Sequence, residues 1–118
     1  MDSKSLALSR TLLNKTVTVK IDRPLGTKHP KWGFEYGVNY GYIEGIVAPD
    51  GEELDAYILK IDKPLDTFTG VVVAIVHRTE DDDDKLVVVP EGESATDEEI
   101  DSATSFQEKW FKHTIVRP

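Results

Sequence analysis

The sequence predicts a mainly β fold of the α+β kind: a five-stranded closed barrel with one C-terminal helix packed on it. Three observations carry that expectation. Five short runs rich in β-branched and apolar residues are separated by turn-forming residues. One longer stretch near the end has helical rather than strand periodicity. The length, 118 residues, suits one domain with one core spanning 1–118, and there are no repeats or low-complexity linkers.

Residues 1–14 carry Leu6, Leu8, Leu12 and Leu13 among Ser, Arg and Lys, and read as a lead-in or a short amphipathic helix. The first strand is Thr16-Val17-Thr18-Val19-Lys20-Ile21, which alternates polar and β-branched residues. Residues 22–33 form a loop with breakers at Pro24, Gly26, Pro30 and Gly33, three Lys or Arg residues and His29. The second strand, Val38 to Val47, contains Gly41 and Gly45, which marks a bulge or a close backbone approach. A third strand is expected over roughly 54–61, and residues 62–66 form a turn. Residues 67–70 lead into a fourth strand over roughly 71–78. The fifth covers roughly 85–89, and its unbroken Leu86-Val87-Val88-Val89 predicts burial on both faces. Thr96-Asp97-Glu98-Glu99 reads as a capping box, with Thr96 as N-cap. Ile100, Ala103, Phe106, Trp110 and Phe111 then mark the helix face turned to the sheet, with Lys109, Lys112 and His113 at its C-terminal end. Ile115 and Val116 suggest a short final strand.

Composition narrows the function. The net charge is −8 and the pI is near 4.8. A phosphate backbone or an anionic membrane needs a basic face, so nucleic acid and membrane partners are not expected. There are no cysteines, which excludes disulfides and thiolate metal sites. With no signal peptide or bilayer-length apolar run, the expected compartment is the cytoplasm.

Chemistry concentrates in two acidic turns. Asp50-Gly51-Glu52-Glu53-Leu54-Asp55 places four carboxylates in six residues between two strands. Glu80-Asp81-Asp82-Asp83-Asp84 lies between the fourth and fifth strands. Carboxylates converging from both turns would repel one another unless a hard cation or shared protons neutralised them. On that argument, neutralising Asp55 should stabilise the metal-free fold. The alternative is a pair of solvated acidic turns. Tyr40 and Tyr42 suit packing on a strand, and Trp32, Trp110 and Phe111 suit core or pocket wall. His29, His77 and His113 lack metal-ligand spacing and read as structural or surface.

These pieces, in this order, resemble the soluble inorganic pyrophosphatases, Mg-dependent enzymes built on the OB-fold, of which the chain would be a shortened member. Asn39-Tyr40-Gly41-Tyr42-Ile43 resembles the family's NYGYI strand. Asp50-Gly51-Glu52-Glu53-Leu54-Asp55 resembles its signature of Asp, small residue, Asp, Pro or Glu, apolar residue, Asp. Asp83-Asp84-Lys85-Leu86-Val87-Val88-Val89-Pro90 resembles the segment with the third metal aspartate and a lysine two residues on. Phe106-Gln107-Glu108-Lys109-Trp110-Phe111-Lys112 resembles the helix ending in an aromatic and a phosphate-binding lysine. The resemblance spans roughly residues 17–112.

The resemblance implies hydrolysis of pyrophosphate by a metal-activated water, with Mg²⁺ as cofactor and Mn²⁺ as its substitute, in a family where homo-oligomers are common. It implies that Asp50, Asp55 and Asp83 hold the first metal, and that Glu80, with Asp81 or Asp82, helps hold a second. Glu52 and Asp55 take the catalytic positions, Lys31, Tyr40, Lys85 and Lys112 contact phosphate oxygens, and Asp22 is an outer carboxylate of the metal site. Four departures qualify this. Glu52 stands where the family has Asp, and the extra methylene shifts its carboxylate by about 1.5 Å. The hairpin with a phosphate-binding arginine is missing between Lys31 and Tyr40, which leaves Arg23 and Arg78 as substitutes. The second acidic cluster is two residues shorter, and Lys112 is displaced by one position. A competing reading is therefore a non-catalytic or altered-substrate module that binds metal and phosphate.

Overall fold

A computed structural model describes residues 3–49, 51–81 and 83–118. Helix α1 covers Lys4–Arg10. Six strands follow: β1 Thr16–Arg23, β2 Asn39–Val47, β3 Glu53–Ile58, β4 Thr67–Arg78, β5 Lys85–Val89 and, after helix α2 at Asp97–Glu108, β6 His113–Val116. The sheet order is β1-β2-β3-β5-β4-β6, and a further β1–β4 pairing closes the first five strands into a barrel. The sixth lies outside the barrel, on β4. This is the expected barrel and C-terminal helix.

Alternation along the strands divides the apolar residues into two layers. Val19, Leu54, Ile58, Val72, Ile75, Leu86 and Val88 pack together, with Leu6 of α1 against them. Tyr57, Val76, Val87 and Val89 pack in a second cluster with Ile100 of α2. β5 feeds both layers, which is why its apolar run does not alternate. Each such buried side chain contributes about 1.5–3 kcal/mol of transfer free energy.

Some boundaries differ from the sequence reading. β4 begins at Thr67, because Thr67–Gly70 pair with β1 and complete the closure. β3 ends at Ile58; Lys60 takes φ +69°, which breaks the extended chain. The capping box is present: Thr96 Oγ1 accepts from the Glu99 N–H at 3.1 Å, and Glu99 Oε1 accepts from the Thr96 N–H at 3.0 Å. The helix stops at Glu108, however, and the chain turns there to feed β6. Trp110 is 58% exposed and Phe111 39%, so neither joins the core face. Trp32 is 68% exposed and is not core either.

Gly41 marks a close approach, one of the two meanings its sequence position allowed. A Cβ there would lie 2.7 Å from the Lys20 carbonyl carbon and 2.9 Å from Ile21 Cα, and closer still to Lys20 O. These are backbone atoms and cannot swing away. Gly41→Ala should therefore cost about 2–3 kcal/mol through overpacking, read as a lower urea midpoint. An unchanged midpoint would mean that β1 and β2 are farther apart than described.

Candidate active site

The site begins with register. β3 and β5 run parallel, with Asp55 opposite Lys85, while Tyr42 of β2 stands opposite Asp55 on the other side. Tyr40 and Asp55 share a face, so the phenol reaches the carboxylate. Tyr40 Oη donates to Asp55 Oδ2 at 2.6 Å. Lys85 Nζ donates to that same oxygen at 2.8 Å and to Asp83 Oδ1 at 3.0 Å. Arg78 NH1 approaches Asp83 Oδ2 at 3.3 Å. Two carboxylates from different segments thus meet around one buried ammonium.

The charges explain the protonation states. Burial works against the Lys85 charge, but Asp55 and Asp83 outweigh it and raise the pKa above the ordinary lysine value. Burial first, then the charge and hydrogen bond of Asp55, push Tyr40 well above the usual phenol range, so it stays a donor at neutral pH. Burial also raises Asp22, with Asp55 adding to it and Arg23 opposing it.

A cavity of about 440 Å³ opens beside this cluster. Its walls carry Asp22, Glu52, Glu53, Asp55, Asp83 and Asp84, with Tyr42 and Ser5. Both acidic turns therefore reach one cavity. Asp84 is buried, and its Oδ1 accepts from the Arg78 N–H at 3.2 Å and pairs with His77 Nδ1 at 2.7 Å. Its Oδ2 is buried without a hydrogen-bond partner among the described residues.

Not every expected residue converges. Asp50 and Asp82 lie outside the described residues. Asp55, Asp83, Tyr40 and Lys85 form one cluster, and Glu52 and Asp22 share its cavity. Glu80 does not line the cavity; it is exposed and lies 3.5 Å from Lys112 Nζ. Lys31 is exposed too, with its ammonium 4.7 Å from the Trp32 ring centroid. Arg23 NH1 donates to the Asp22 carbonyl at 3.2 Å. Among the described residues no three His, Asp or Glu side chains group closely enough to hold a metal by themselves. The donors are nonetheless hard oxygens around an acidic cavity. That suits Mg²⁺, which keeps several waters and takes one or two carboxylates.

The sequence reading missed the buried network behind the cluster. Arg78 grips Glu108, with Nε to Oε1 at 2.9 Å and NH2 to Oε2 at 2.8 Å. Tyr57 Oη donates to Glu108 Oε2 at 2.6 Å. A signal was present: Glu108 sits four residues after Thr104 and eight after Ile100, on the helix face that buries.

A family model described as inorganic pyrophosphatase matches residues 11–115. The chain belongs to the inorganic pyrophosphatase family. That membership makes it a hydrolase. Solved family structures share the fold. The inorganic pyrophosphatase from Ehrlichia chaffeensis is 16% identical with a TM-score of 0.67, over 86% of this chain and 84% of that one. The enzyme from Thermus thermophilus is 19% identical with a TM-score of 0.66, over 86% and 82%. That from Neisseria gonorrhoeae is 20% identical with a TM-score of 0.61, over 84% and 78%. No helix among the described residues is long and apolar enough to cross a membrane.

Proposed function

We propose that the protein hydrolyses inorganic pyrophosphate to two phosphates with Mg²⁺ as cofactor, in the cytoplasm. One observation carries the reading: Asp55 and Asp83, from separate segments of a pyrophosphatase fold, meet around Lys85 at the wall of an acidic cavity. Asp55 and Asp83, with Asp50, would hold the ion, and Asp22 would be an outer carboxylate of its site. When bound, Mg²⁺ supplies positive charge that acidifies the attacking water and screens the pyrophosphate oxygens.

The chain's own residues do the rest. Glu52 and Asp55 face the cavity, where either carboxylate can take the proton of the attacking water. Lys85 is held charged and keeps one N–H beyond those given to Asp55 and Asp83, which can donate to a phosphate oxygen, whereas the single O–H of the neutral Tyr40 would have to leave Asp55 to do so. Phosphoryl transfer asks for positioning and charge more than covalent chemistry. Glu80 and Lys112 pair outside the cavity, so acting as metal ligand and phosphate contact would require them to separate. Phosphate release from pyrophosphate with Mg²⁺, read against a chelator, tests the reading. Release above the chelated control is expected; none from folded protein would refute it.

A second reading, a module that binds phosphate and metal without turnover or acts on another phosphate compound, has one observation in its favour. Lys31 and Lys112 lie outside the cavity, while Lys85 is engaged by two carboxylates. The same assay separates the two.

Metal should also act on stability. A ligand that binds only the folded chain adds about 2.7 kcal/mol at a hundred times its Kd. Millimolar Mg²⁺ or Mn²⁺ should raise Tm by several degrees, and a flat melting curve would count against the cation site.

A further inference from the structure

Arg78 ends β4, where the strand gives way to the acidic turn. Its guanidinium is held on three sides. Glu108 accepts from Nε and NH2. The Phe111 ring centroid lies 3.7 Å from its central carbon. NH1 reaches the acidic turn, 3.4 Å from Asp81 Oδ2 and 3.3 Å from Asp83 Oδ2. Glu108 is itself fixed by Tyr57, and Gln107 Nε2 donates to the Tyr57 hydroxyl at 2.7 Å.

We propose that Arg78 is a positioning residue for the hydrolysis: anchored by Glu108 to the end of α2, it sets where Asp83 stands at the cavity. The proposal rests on the pyrophosphatase reading above. Asp83 is gripped at both oxygens, Oδ1 by Lys85 and Oδ2 by Arg78. Lys85 ties it to Asp55, and Arg78 ties it to the helix. A two-pronged grip on Glu108 fixes the guanidinium plane, so NH1 is aimed rather than merely nearby. The same geometry argues against Arg78 as a substitute for the phosphate-binding arginine, because its N–H groups already face carboxylates.

Two variants test this. Arg78→Lys keeps the charge and loses the fork. Arg78→Met with Glu108→Gln removes both members of the buried pair, yet leaves an amide oxygen for Tyr57; removing both charges of such a pair is often tolerated. Backbone amide exchange over 79–84 reads the hold on the turn, and kcat and KM for Mg²⁺ with pyrophosphate read its consequence. In both variants exchange over 79–84 should quicken while the barrel strands stay protected. In both, kcat should fall at least about tenfold with KM changing less, as expected for a misplaced group. Unchanged exchange over 79–84 would overturn the hold, whatever the kinetics. Faster exchange with wild-type kcat would overturn the positioning role. A wild type without hydrolysis would sink the pyrophosphatase reading and this role with it, while the exchange data would still show whether Arg78 holds the turn.

Discussion

Asp55→Asn should reduce pyrophosphate hydrolysis by a factor of about 10² or more and should also lower the melting point of the chelated protein. The first effect follows from the role proposed for Asp55 at the cavity: an amide neither takes a proton from water nor offers a cation its charge. The second reverses what carboxylate crowding alone predicts. Crowded carboxylates repel, and removing one should help. Here Lys85 stands between Asp55 and Asp83, 2.8 Å from one and 3.0 Å from the other. The ammonium is almost fully buried. Asparagine keeps the shape but leaves Lys85 with Asp83 as its one carboxylate partner in this cluster and weakens the acceptor for Tyr40. Charge-assisted hydrogen bonds of this kind contribute about 1.5–3 kcal/mol. Asp55 is partly exposed, so a loss near the lower end is expected. Melting and hydrolysis should be measured side by side. A variant that melts higher than wild type would show that repulsion dominates after all. One that hydrolyses at the wild-type rate would remove Asp55 from the chemistry.

Glu108→Ala should be the most damaging single change to stability. It strips the partner from a buried guanidinium and leaves a void at the end of α2. Removing one member of a buried ion pair costs about 3–5 kcal/mol, a large share of the 5–15 kcal/mol that holds a typical domain. A urea midpoint within error of wild type would contradict it. The pair also predicts a pH dependence. Burial alone would raise the Glu108 carboxyl, but the hydrogen bonds from Arg78 and Tyr57 and the Arg78 charge hold it below its ordinary value of 4.5. A carboxyl lowered on folding contributes stability that is fully present above its unfolded pKa. That contribution should vanish as pH falls from about 4.5 through the lower folded value. Arg78→Met with Glu108→Gln should flatten this part of the profile.

The barrel was legible because each strand carries its own signal. β5 shows it best: four successive apolar residues suggest a strand buried on both faces, and that strand lies between β3 and β4 with core on each side. Gly41 announced a bulge or a close approach, and the Lys20 backbone provides the second. What periodicity could not give was the end of α2. Trp110 and Phe111 continue the apolar spacing past Glu108, but the chain must turn there to reach β6, which leaves Trp110 mostly exposed and sets the Phe111 ring against Arg78 rather than in the core. The site was legible in part for a similar reason. Asp55 and Lys85 are thirty positions apart in sequence, yet parallel pairing sets them side by side. Motif spacing carries such pairs, since the barrel fixes the register. It does not carry the Arg78–Glu108 pair, which depends on where a helix end meets a strand end. Nor does it show that Glu80 and Lys112 turn to each other rather than into the cavity.

Pyrophosphate should meet its metal where Asp55, Asp83 and Lys85 converge. Crystals grown with Mn²⁺ and imidodiphosphate, an unreactive pyrophosphate analogue, test it by anomalous scattering. A manganese peak is expected in the cavity lined by Asp22, Glu52, Asp55 and Asp83, with the analogue's phosphorus atoms beside it. Manganese and analogue bound elsewhere, with that cavity empty, would contradict it.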